Sequence, residues 1–391
     1  MVIINNQKSL RMKTIKTTNK VMLIVLTLLA IAVTSCKRDN IDLPGMPTFS
    51  QVTTTKDLKT PIAGGNMGDW IAIRGTNLQQ TDSILFNDVA VNIRDAYYQD
   101  SVLYVQVPIK LPMNVNNKIT VKTKGGDIAF DFKINIPDLQ LTSIFNEYTP
   151  PGDTIKIYGK FLKLYEVDSL NTVVSFGGKE SPVIKATDTY ITARVPLDVQ
   201  SNVKVKAINK KFNAEAYCQG YYQDKHNVVT TFDTDYPYKS STGQQWVGDW
   251  KKPKPTSGKY LRFEVDQATY PNGLGWFYFF TSDVKYTLDM LQHPDKYTLK
   301  FELNMALPVK TTAFFIYYYW AVAPKPMSGE TFTVQNLGVW QTVNIPLEKI
   351  VPLGYTGTWT DYSLNIRVED YAPVEQIAMY FDNFRIYKIG D

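Results

Sequence analysis

The sequence predicts an all-β protein made of consecutive β-sandwiches, and three observations lead to this prediction. Aromatic residues are frequent, with 25 Tyr and 19 Phe in 391 residues, and together with β-branched residues they favour strands. Short apolar segments recur at spacings of about ten residues with Gly, Pro and Asn between them, which is typical of sandwiches. One strand pattern occurs twice, which indicates a duplicated domain.

The first residues are typical of a secretory signal. An apolar run at 21–33 follows a lysine-containing stretch, and it is shorter than the roughly 20 apolar residues that span a membrane. The next residues, Val33-Thr34-Ser35-Cys36, resemble a bacterial lipobox, at which the signal is cleaved and the thiol of Cys36 is lipidated. We therefore expect a lipoprotein signal peptide at 1–35 and a lipidated tether at 36–46, anchored in the outer membrane and facing the cell exterior. The alternative is an ordinary cleaved signal in which Cys36 is incidental.

The duplicated pattern has the form G-D-x-I-x-I-x-G-x-x-L and lies at 68–78 and 152–162. Ile71 and Ile73 share one face of a strand, as expected of a half-buried strand. Further strand-like segments follow both copies in the same order. The segments resemble the IPT/TIG family, which implies two immunoglobulin-like sandwiches, domain 1 at 47–137 and domain 2 at 138–222. We expect both to act as spacers, because neither gathers exposed aromatic residues beyond Trp70.

Composition changes at about residue 223, where the C-terminal domain (223–391) begins. Six of the seven Trp residues lie in it. At 298–305 apolar residues alternate with polar ones, which predicts a core face and a solvent face. The same alternation at 362–368 predicts that Asn365 and Arg367 face solvent. We expect a jelly-roll-like β-sandwich of two sheets.

Two segments of this domain are aromatic on both strand faces, at 275–280 and 314–320. In the first, Trp276 and Tyr278 share one face and the purely apolar Phe277 and Phe279 lie on the other, so the first pair can face water. In the second, Tyr317 and Tyr319 share a face opposite Ile316; Trp320 falls with Ile316 by strict parity, but it lies at the strand's end, where the alternation commonly breaks. Exposed rings stack on the apolar C–H faces of pyranose sugars and form a rigid platform that costs little entropy on binding. The candidate glycan-binding residues are Trp276, Tyr278, Tyr317, Tyr319 and Trp320, with Trp246 and Trp359 as further rings and Asn365 and Arg367 as partners for hydroxyl groups. The alternative is that rings such as Trp246, Trp250, Trp340 and Trp359 fill the core.

The order of signal, lipobox, tandem immunoglobulin-like repeats and aromatic β-sandwich resembles surface glycan-binding proteins of polysaccharide utilisation loci, particularly the xyloglucan-binding type B family. The resemblance implies a short platform of Trp and Tyr, for which Trp276, Tyr319 and Trp320 are the best matches. It also implies a non-catalytic lipoprotein that retains polysaccharide for degradation and import. Xyloglucan or another plant β-glucan is then the candidate ligand, and an outer-membrane oligosaccharide importer is the candidate partner.

Two other classes of function remain open at this stage. A glycoside hydrolase or lyase would need two carboxylates about 5 Å or about 6.5 to 9.5 Å apart. Glu264 and Asp266 share a strand face, and either Glu302 or Glu369 could supply the partner carboxylate. A protein-binding surface adhesin would suit tandem sandwiches equally well.

Charge and metal-ligand residues exclude further classes. The net charge of +5 is small and the Lys residues are scattered, so we expect no nucleic-acid partner. Two His residues are too few for a metal cluster, and we expect no catalytic residue and no cofactor. A structural Ca²⁺ near Asp233 and Asp382 is a secondary alternative, because jelly-roll modules sometimes carry one near their first and last strands.

Overall fold

The computed structural model describes residues 45–99, 101–233, 247–308, 313–319, 336–351, 353–358, 360–370 and 376–390, with the backbone alone at 276–285, 313–319, 361–363 and 367–370. The described residues divide into two compact units. The first runs to Pro108 and includes Asn114–Asn135, and the second comprises Ile109–Met113 and the chain from Ile136 onward. The predicted signal peptide and Cys36 lie outside the described residues. In the part that is described, no helix is long and apolar enough to cross a membrane.

The first unit consists of strands that alternate buried and exposed residues. They are β1 (Thr48–Thr54), β2 (Gly64–Asn66), β3 (Trp70–Thr76), β4 (Thr81–Phe86), β5 (Val89–Val91), β6 (Tyr97–Gln99), β7 (Val102–Gln106), β8 (Lys118–Thr123), β9 (Gly126–Asp131) and β10 (Lys133–Asn135), with a 3₁₀ turn at Ile93–Asp95. Their sheets have the orders β1-β3-β7-β6 and β5-β4-β8-β9, and β2 pairs with β10 in parallel. Ile71 and Ile73 are at most 1% exposed, which confirms the predicted inward face of their strand.

Domain 2 repeats this design within the second unit. Its strands are β11 (Gln140–Ile144), β12 (Thr154–Lys160), β13 (Thr172–Phe176), β14 (Lys179–Ala186), β15 (Tyr190–Arg194), β16 (Val203–Asn209) and β17 (Ala214–Tyr222). They are ordered β11-β12-β15-β14-β13-β16-β17. Residues 179–182 of β14 pair with β13, and residues 183–186 pair with β15. The long strand β14 therefore links the two halves of the sandwich.

The second glycine of the repeated motif has the same structural role in both domains. A Cβ atom on Gly75 would lie 1.9 Å from the Thr48 carbonyl oxygen, and one on Gly159 would lie 2.5 Å from the Gln140 carbonyl oxygen. In both domains the neighbouring strand has a register irregularity at this place, in β1 and in β11. Only a residue without a side chain permits this close backbone approach, which is why the motif requires Gly here.

The C-terminal domain is a sandwich of two antiparallel sheets. Its elements are β18 (Val228–Thr230), β19 (Val247–Gly248), β20 (Tyr260–Val265), β21 (Gly275–Lys285), α1 (Leu288–Gln292), β22 (Tyr297–Met305), β23 (Ala313–Tyr319), β24 (Gln341–Pro346), β25 (Asp361–Asp370) and β26 (Ile377–Lys388), with 3₁₀ turns at Pro294–Lys296 and Leu347–Lys349. One sheet has the order β19-β20-β26-β22-β24, with β18 also paired to β26, and the other has the order β21-β25-β23. The core includes the stacked rings of Phe301 and Phe384, whose centroids are 4.7 Å apart. The predicted all-β fold class is confirmed.

Domain 2 and the C-terminal domain share a buried cluster of charges. Arg385 on β26 is 1% exposed at its side chain and contacts Glu147 of domain 2 at 2.5 Å and Glu302 on β22 at 2.9 Å. Lys300 on β22 lies 2.7 Å from the other oxygen of Glu147, and the Arg385 Nε lies 3.8 Å from Asp224. Three carboxylates therefore face two cations in a region shielded from water.

This excess of one carboxylate determines the protonation of the cluster. Burial raises the pKa of Glu302 to about 7, and the Glu147 carboxylate adds to the rise while Arg385 opposes it. Burial also acts to raise the pKa of Glu147, but the charges of Arg385 and Lys300 outweigh it and hold that pKa below its usual value. Glu302 is thus the group that carries a proton most readily near neutral pH.

The cluster contradicts one prediction for β22. Its even positions were expected to face solvent, but Thr298, Lys300, Glu302 and Asn304 are all at most 9% exposed. The reason is that domain 2 covers this face of the sheet: besides the ion pairs, the Thr342 hydroxyl on the adjacent strand β24 accepts a hydrogen bond from the Glu147 amide. The polar face of β22 is an interface between domains.

Candidate functional site

The three-stranded sheet β21-β25-β23 contains most of the predicted platform positions. Across β21 and β25, Trp276 pairs with Glu369 and Tyr278 pairs with Arg367. Residues directly opposite each other in an antiparallel pair share a face of the sheet. Trp276, Tyr278 and Arg367 therefore lie on one face.

Strand β23 extends the same face on the other side of β25. Tyr317 pairs with Asn365, and Tyr319 pairs with Ser363. Asn365 and Arg367 are two residues apart on β25, so both belong to the face that includes Trp276 and Tyr278. Six of the nine predicted glycan-binding positions thus share one face, and the intervening residues Leu364 and Ile366 on the opposite face are at most 1% exposed.

One residue of this set differs from its prediction. Asn365 was expected to face solvent, but it is 5% exposed. It lies on the central strand of the sheet, with Thr281 on one side and Tyr317 on the other, so neighbouring strands flank it from both edges. The prediction that Asn365 faces solvent was wrong. Trp246, Trp320 and Trp359 lie outside the described residues.

Two of the four Trp residues that the sequence left undecided, Trp250 and Trp340, lie next to β19 and β24 of the other sheet. Trp340 is half-buried, its indole N–H donates to the Lys254 carbonyl oxygen at 2.7 Å, and its ring meets the Tyr260 ring edge-on at 5.4 Å. Trp250 is also half-buried, and its ring lies 5.1 Å from the Arg262 guanidinium. Both rings pack against a small cluster that includes Tyr260, so they are neither fully exposed nor part of the main core.

The spacer domains expose more aromatic surface than the sequence indicated. In domain 1, Trp70 is 39% exposed and Tyr97 is 62% exposed, and their ring centroids are 5.8 Å apart. In domain 2, Tyr217 is 57% exposed. The expectation that Trp70 is the only exposed aromatic residue of the two spacer domains was wrong. Tyr97 is 27 residues further along the chain (97 minus 70), and it comes near Trp70 only because β3 and β6 both pair with β7.

The candidate acids for hydrolysis are engaged in structural contacts. Glu302 is fully buried, accepts two hydrogen bonds from Arg385 at 2.9 and 3.1 Å, and accepts a third from Thr342. Glu264 accepts hydrogen bonds from Arg262 at 2.5 Å and from Tyr380 at 2.6 Å. Burial acts to raise the pKa of Glu264, but these contacts outweigh it and lower that pKa.

Of the two remaining candidates, Glu369 is described by its backbone alone and pairs with Trp276, and Asp266 accepts hydrogen bonds from the backbone and the hydroxyl of Thr269. It is exposed and ends β20 at a turn. A glycosidase needs one carboxylic acid that reaches the glycosidic oxygen and a second carboxylate near the anomeric carbon. Glu302 cannot reach a substrate from its buried position, and the lowered pKa of Glu264 does not suit an acid.

The two residues considered for Ca²⁺ make hydrogen bonds within the protein. Asp382 is fully buried and accepts hydrogen bonds from the Thr256 hydroxyl and the Asn383 amide. Asp233 accepts a hydrogen bond from the Lys259 amide at 2.6 Å. Burial raises the pKa of Asp382 well above its usual value. Among the described residues, no group of three or more His, Cys, Asp or Glu side chains could hold a metal ion.

Comparison with known proteins adds to this geometry. Residues 222–388 match the family model of the surface glycan-binding protein B xyloglucan binding domain, and residues 139–223 match the IPT/TIG domain. The C-terminal domain is therefore similar to the xyloglucan-binding domain of type B surface glycan-binding proteins. This agrees with the predicted resemblance, and the matched ranges cover domain 2 and almost all of the C-terminal domain.

Three individual proteins illustrate the relationship. The crystal structure of surface glycan-binding protein B from Prevotella bryantii aligns over 88% of this chain and 99% of that one, with 19% identity and a TM-score of 0.55, so the type B fold is shared. A second structure, from a complex xyloglucan utilization locus of Bacteroides uniformis, covers 88% of this chain and 100% of that one with 17% identity and a TM-score of 0.47. An IPT/TIG domain-containing protein of Bacteroides ovatus is 25% identical over 192 residues, which are 48% of this chain. The matched segment spans about a third (36%) of the length of that relative.

Proposed function

We propose that this chain is a cell-surface lipoprotein that binds polysaccharide without cleaving it and retains the glycan for degradation and import. The ligand is xyloglucan or another plant β-glucan, and an outer-membrane oligosaccharide importer is the partner. Lipidation at Cys36 anchors the protein in the outer membrane, facing the cell exterior. The match of 222–388 to a surface glycan-binding domain supports this proposal at the level of the domain.

The observation that carries the proposal is the register of the sheet β21-β25-β23. Four aromatic positions, Trp276, Tyr278, Tyr317 and Tyr319, share one face with Arg367 between them. Neighbouring strands lie about 4.8 Å apart, and successive positions on one face of a strand are about 7 Å apart. Tyr278 and Tyr317 stand opposite Arg367 and Asn365, which is two strands across and one such position along, so their backbones are separated by about 12 Å. This spacing suits rings that contact neighbouring units of an extended glycan.

Ring stacking supplies the affinity and the polar residues supply the orientation. The C–H faces of pyranose rings are apolar and match the negative faces of Trp and Tyr rings. Arg367 lies on the same face and would donate to sugar hydroxyls. Trp320 follows Tyr319 at the end of the aromatic segment, and its place on the platform requires the strand alternation to break there. Trp246 and Trp359 are further contributors from the segments that precede β19 and β25.

The buried position of Glu302 and the contacts of Glu264 support binding without hydrolysis. Retaining a long polysaccharide requires repeated contacts along the chain and no change to the glycosidic bond. A catalytic site would need a carboxylic acid and a carboxylate that both reach the substrate.

Affinity electrophoresis of the chain from residue 37 onward tests the proposal on a panel of xyloglucan, mixed-linkage β-glucan and microbial polysaccharides. We expect retardation by at least one plant β-glucan, and we expect Trp276→Ala and Trp320→Ala each to abolish it with an unchanged circular dichroism spectrum. Tyr217→Ala is the matched control, because it removes an exposed ring from domain 2. Release of oligosaccharides would identify an enzyme instead, and the lack of both retardation and release would favour an adhesin.

A further inference from the structure

A cavity of about 460 Å³ lies between domain 2 and the C-terminal domain, both of which belong to the second unit. One wall comes from β11 and β12, with Phe145 and Thr154. The other wall comes from the C-terminal domain, with Pro253, Asn304 and Trp340. Its volume lies in the range of small-molecule sites, which commonly form at domain interfaces. No platform residue that the structure describes lines it.

The cavity contains a buried acceptor that lacks a hydrogen bond. Asn304 is 1% exposed, and its side-chain carbonyl oxygen has no hydrogen-bond partner within the described part of the chain. A buried polar atom without a partner costs free energy, and such atoms in native structures require an explanation. The residue lines the cavity, but this oxygen has almost no accessible surface, so a small rotation of the Asn304 side chain would bring it to a ligand hydroxyl that donates to it.

The aromatic wall of the cavity is held in a fixed orientation. The Trp340 indole N–H donates to the Lys254 carbonyl oxygen at 2.7 Å, and the Trp340 and Tyr260 rings meet edge-on with an interplanar angle of 82°. Fixing the ring before binding reduces the entropy that the complex must lose. The Trp340 ring is therefore already oriented before a ligand stacks on it.

The charges of the residues that line the cavity indicate which class of ligand it would bind. Lys156 and Lys254 contribute two positive charges and Asp153 contributes one negative charge, which disfavours a cation. The Lys156 ammonium lies 4.9 Å from the Phe145 ring centroid, so that ring is already engaged. What remains is an apolar ring surface beside a buried acceptor, and a pyranose unit has the matching combination of an apolar C–H face and donating hydroxyls.

We propose that this cavity is a second carbohydrate subsite, separate from the platform, which takes one or two pyranose units. One sugar face stacks on Trp340, and a hydroxyl group donates to the side-chain oxygen of Asn304. The proposal rests on the proposed function, because it takes the ligand to be a segment of the same class of glycan. It places a glycan contact at the junction of domain 2, whose expected role is spacing alone.

The repeated module provides a way to fill the cavity without disturbing the fold. Thr154 follows the Gly-Asp pair of the motif, and Trp70 has that position in domain 1. The first glycines, Gly68 and Gly152, both have φ of +85°, so the two backbones match there. Because the module accommodates a Trp at this position in domain 1, Thr154→Trp adds bulk to the cavity wall at a place that the backbone tolerates.

Isothermal titration of the chain from residue 37 onward with xylogluco-oligosaccharides and mixed-linkage oligosaccharides tests the proposal. We expect two binding events per chain, of which Thr154→Trp removes one and Trp320→Ala removes the other. Val339→Trp fills the cavity from the C-terminal wall and should give the same loss if Thr154→Trp is unstable. Leu170→Trp is the control, because Leu170 is 88% exposed and does not line the cavity.

The outcomes separate this proposal from the proposed function. A single binding event that is lost in Trp320→Ala and unchanged in Thr154→Trp and Val339→Trp would overturn the second subsite and leave the platform in place. A single event that is lost in the cavity variants and unchanged in Trp320→Ala would support the cavity and overturn the platform. No binding of either class of oligosaccharide would overturn both.

Discussion

Replacing Arg385 by Met should destabilise the second unit by about 3–5 kcal/mol, the range observed when one partner of a buried ion pair is removed. Arg385 donates to Glu147 at 2.5 Å, to Glu302 at 2.9 and 3.1 Å and to the Asn383 carbonyl oxygen at 2.7 Å. Met has a similar aliphatic length and removes all of these hydrogen bonds, which leaves Glu147 with Lys300 and Glu302 with Thr342. The three carboxylates of the cluster would then face Lys300 alone.

The size of this loss follows from the burial of the acceptors. Glu147 and Glu302 are at most 3% exposed, so water cannot replace the lost hydrogen bonds, and at least one further carboxylate must take up a proton. Single domains are stable by roughly 5–15 kcal/mol, so the change would remove a large share of the total. Because Glu147 belongs to domain 2, we also expect the cooperative unfolding of domain 2 with the C-terminal domain to separate into two steps.

Urea denaturation at pH 7, followed by intrinsic fluorescence and circular dichroism, measures this loss. With a slope of about 2–3 kcal/mol per molar urea, the midpoint should fall by about 1–2.5 M. Lys211→Met is the control, because Lys211 pairs with Glu166 at the surface and exposed pairs contribute less than about 1 kcal/mol. A loss for Arg385→Met no larger than that of Lys211→Met would refute the role assigned to the cluster.

Two further predictions concern protonation and anchoring. Glu302 has a raised pKa of about 7 in the folded protein, so its own contribution to stability should be full below the unfolded pKa of about 4.3 and should be lost as the pH rises through 7. Glu302→Gln should therefore reduce the decline in stability between pH 5 and pH 8, as measured by urea titrations, and an equal decline in both proteins would contradict the assignment. Cys36→Ala should release the protein from the membrane fraction of expressing cells, as measured by fractionation and immunoblotting, and unchanged membrane association would show that the lipobox is not used.

The periodicity of the sequence was sufficient where a strand has one wet face and one core face. It predicted Ile71 and Ile73 as core residues, and the repeated glycine pattern reflected a close backbone approach that Gly75 and Gly159 both permit. It also separated Trp276 and Tyr278 from the apolar residues of their strand. It could not indicate that β21 and β23 both pair with β25, because the order of strands in a sheet depends on pairing between distant segments.

The same periodicity failed at β22 for a physical reason. Alternation distinguishes polar from apolar faces, but a polar face can meet solvent or a complementary polar face of another domain. Lys300 and Glu302 look like solvated strand residues in the sequence, and their partner Glu147 lies 153 residues before Lys300 (300 minus 147) in the preceding domain. The sequence of β22 and its neighbours contains no feature that indicates the pairing with Glu147.

This interface also determines which fragment of the chain is suitable for ligand studies. A fragment beginning at residue 223 would contain Arg385, Glu302 and Lys300 without Glu147, and it would lose the wall of the interdomain cavity that includes Phe145 and Thr154. Exposing that face would hydrate the two cations and the two remaining carboxylates, Glu302 and Asp224, that domain 2 otherwise covers, and the strands that border it would lose their cover. Because the platform sheet packs on the same core as β22 and β26, a change on that face reaches the platform through the core. A fragment that begins at residue 136 preserves both the charge cluster and the cavity, so it is the smaller part of the chain in which the binding properties of the C-terminal domain should match those of the whole protein.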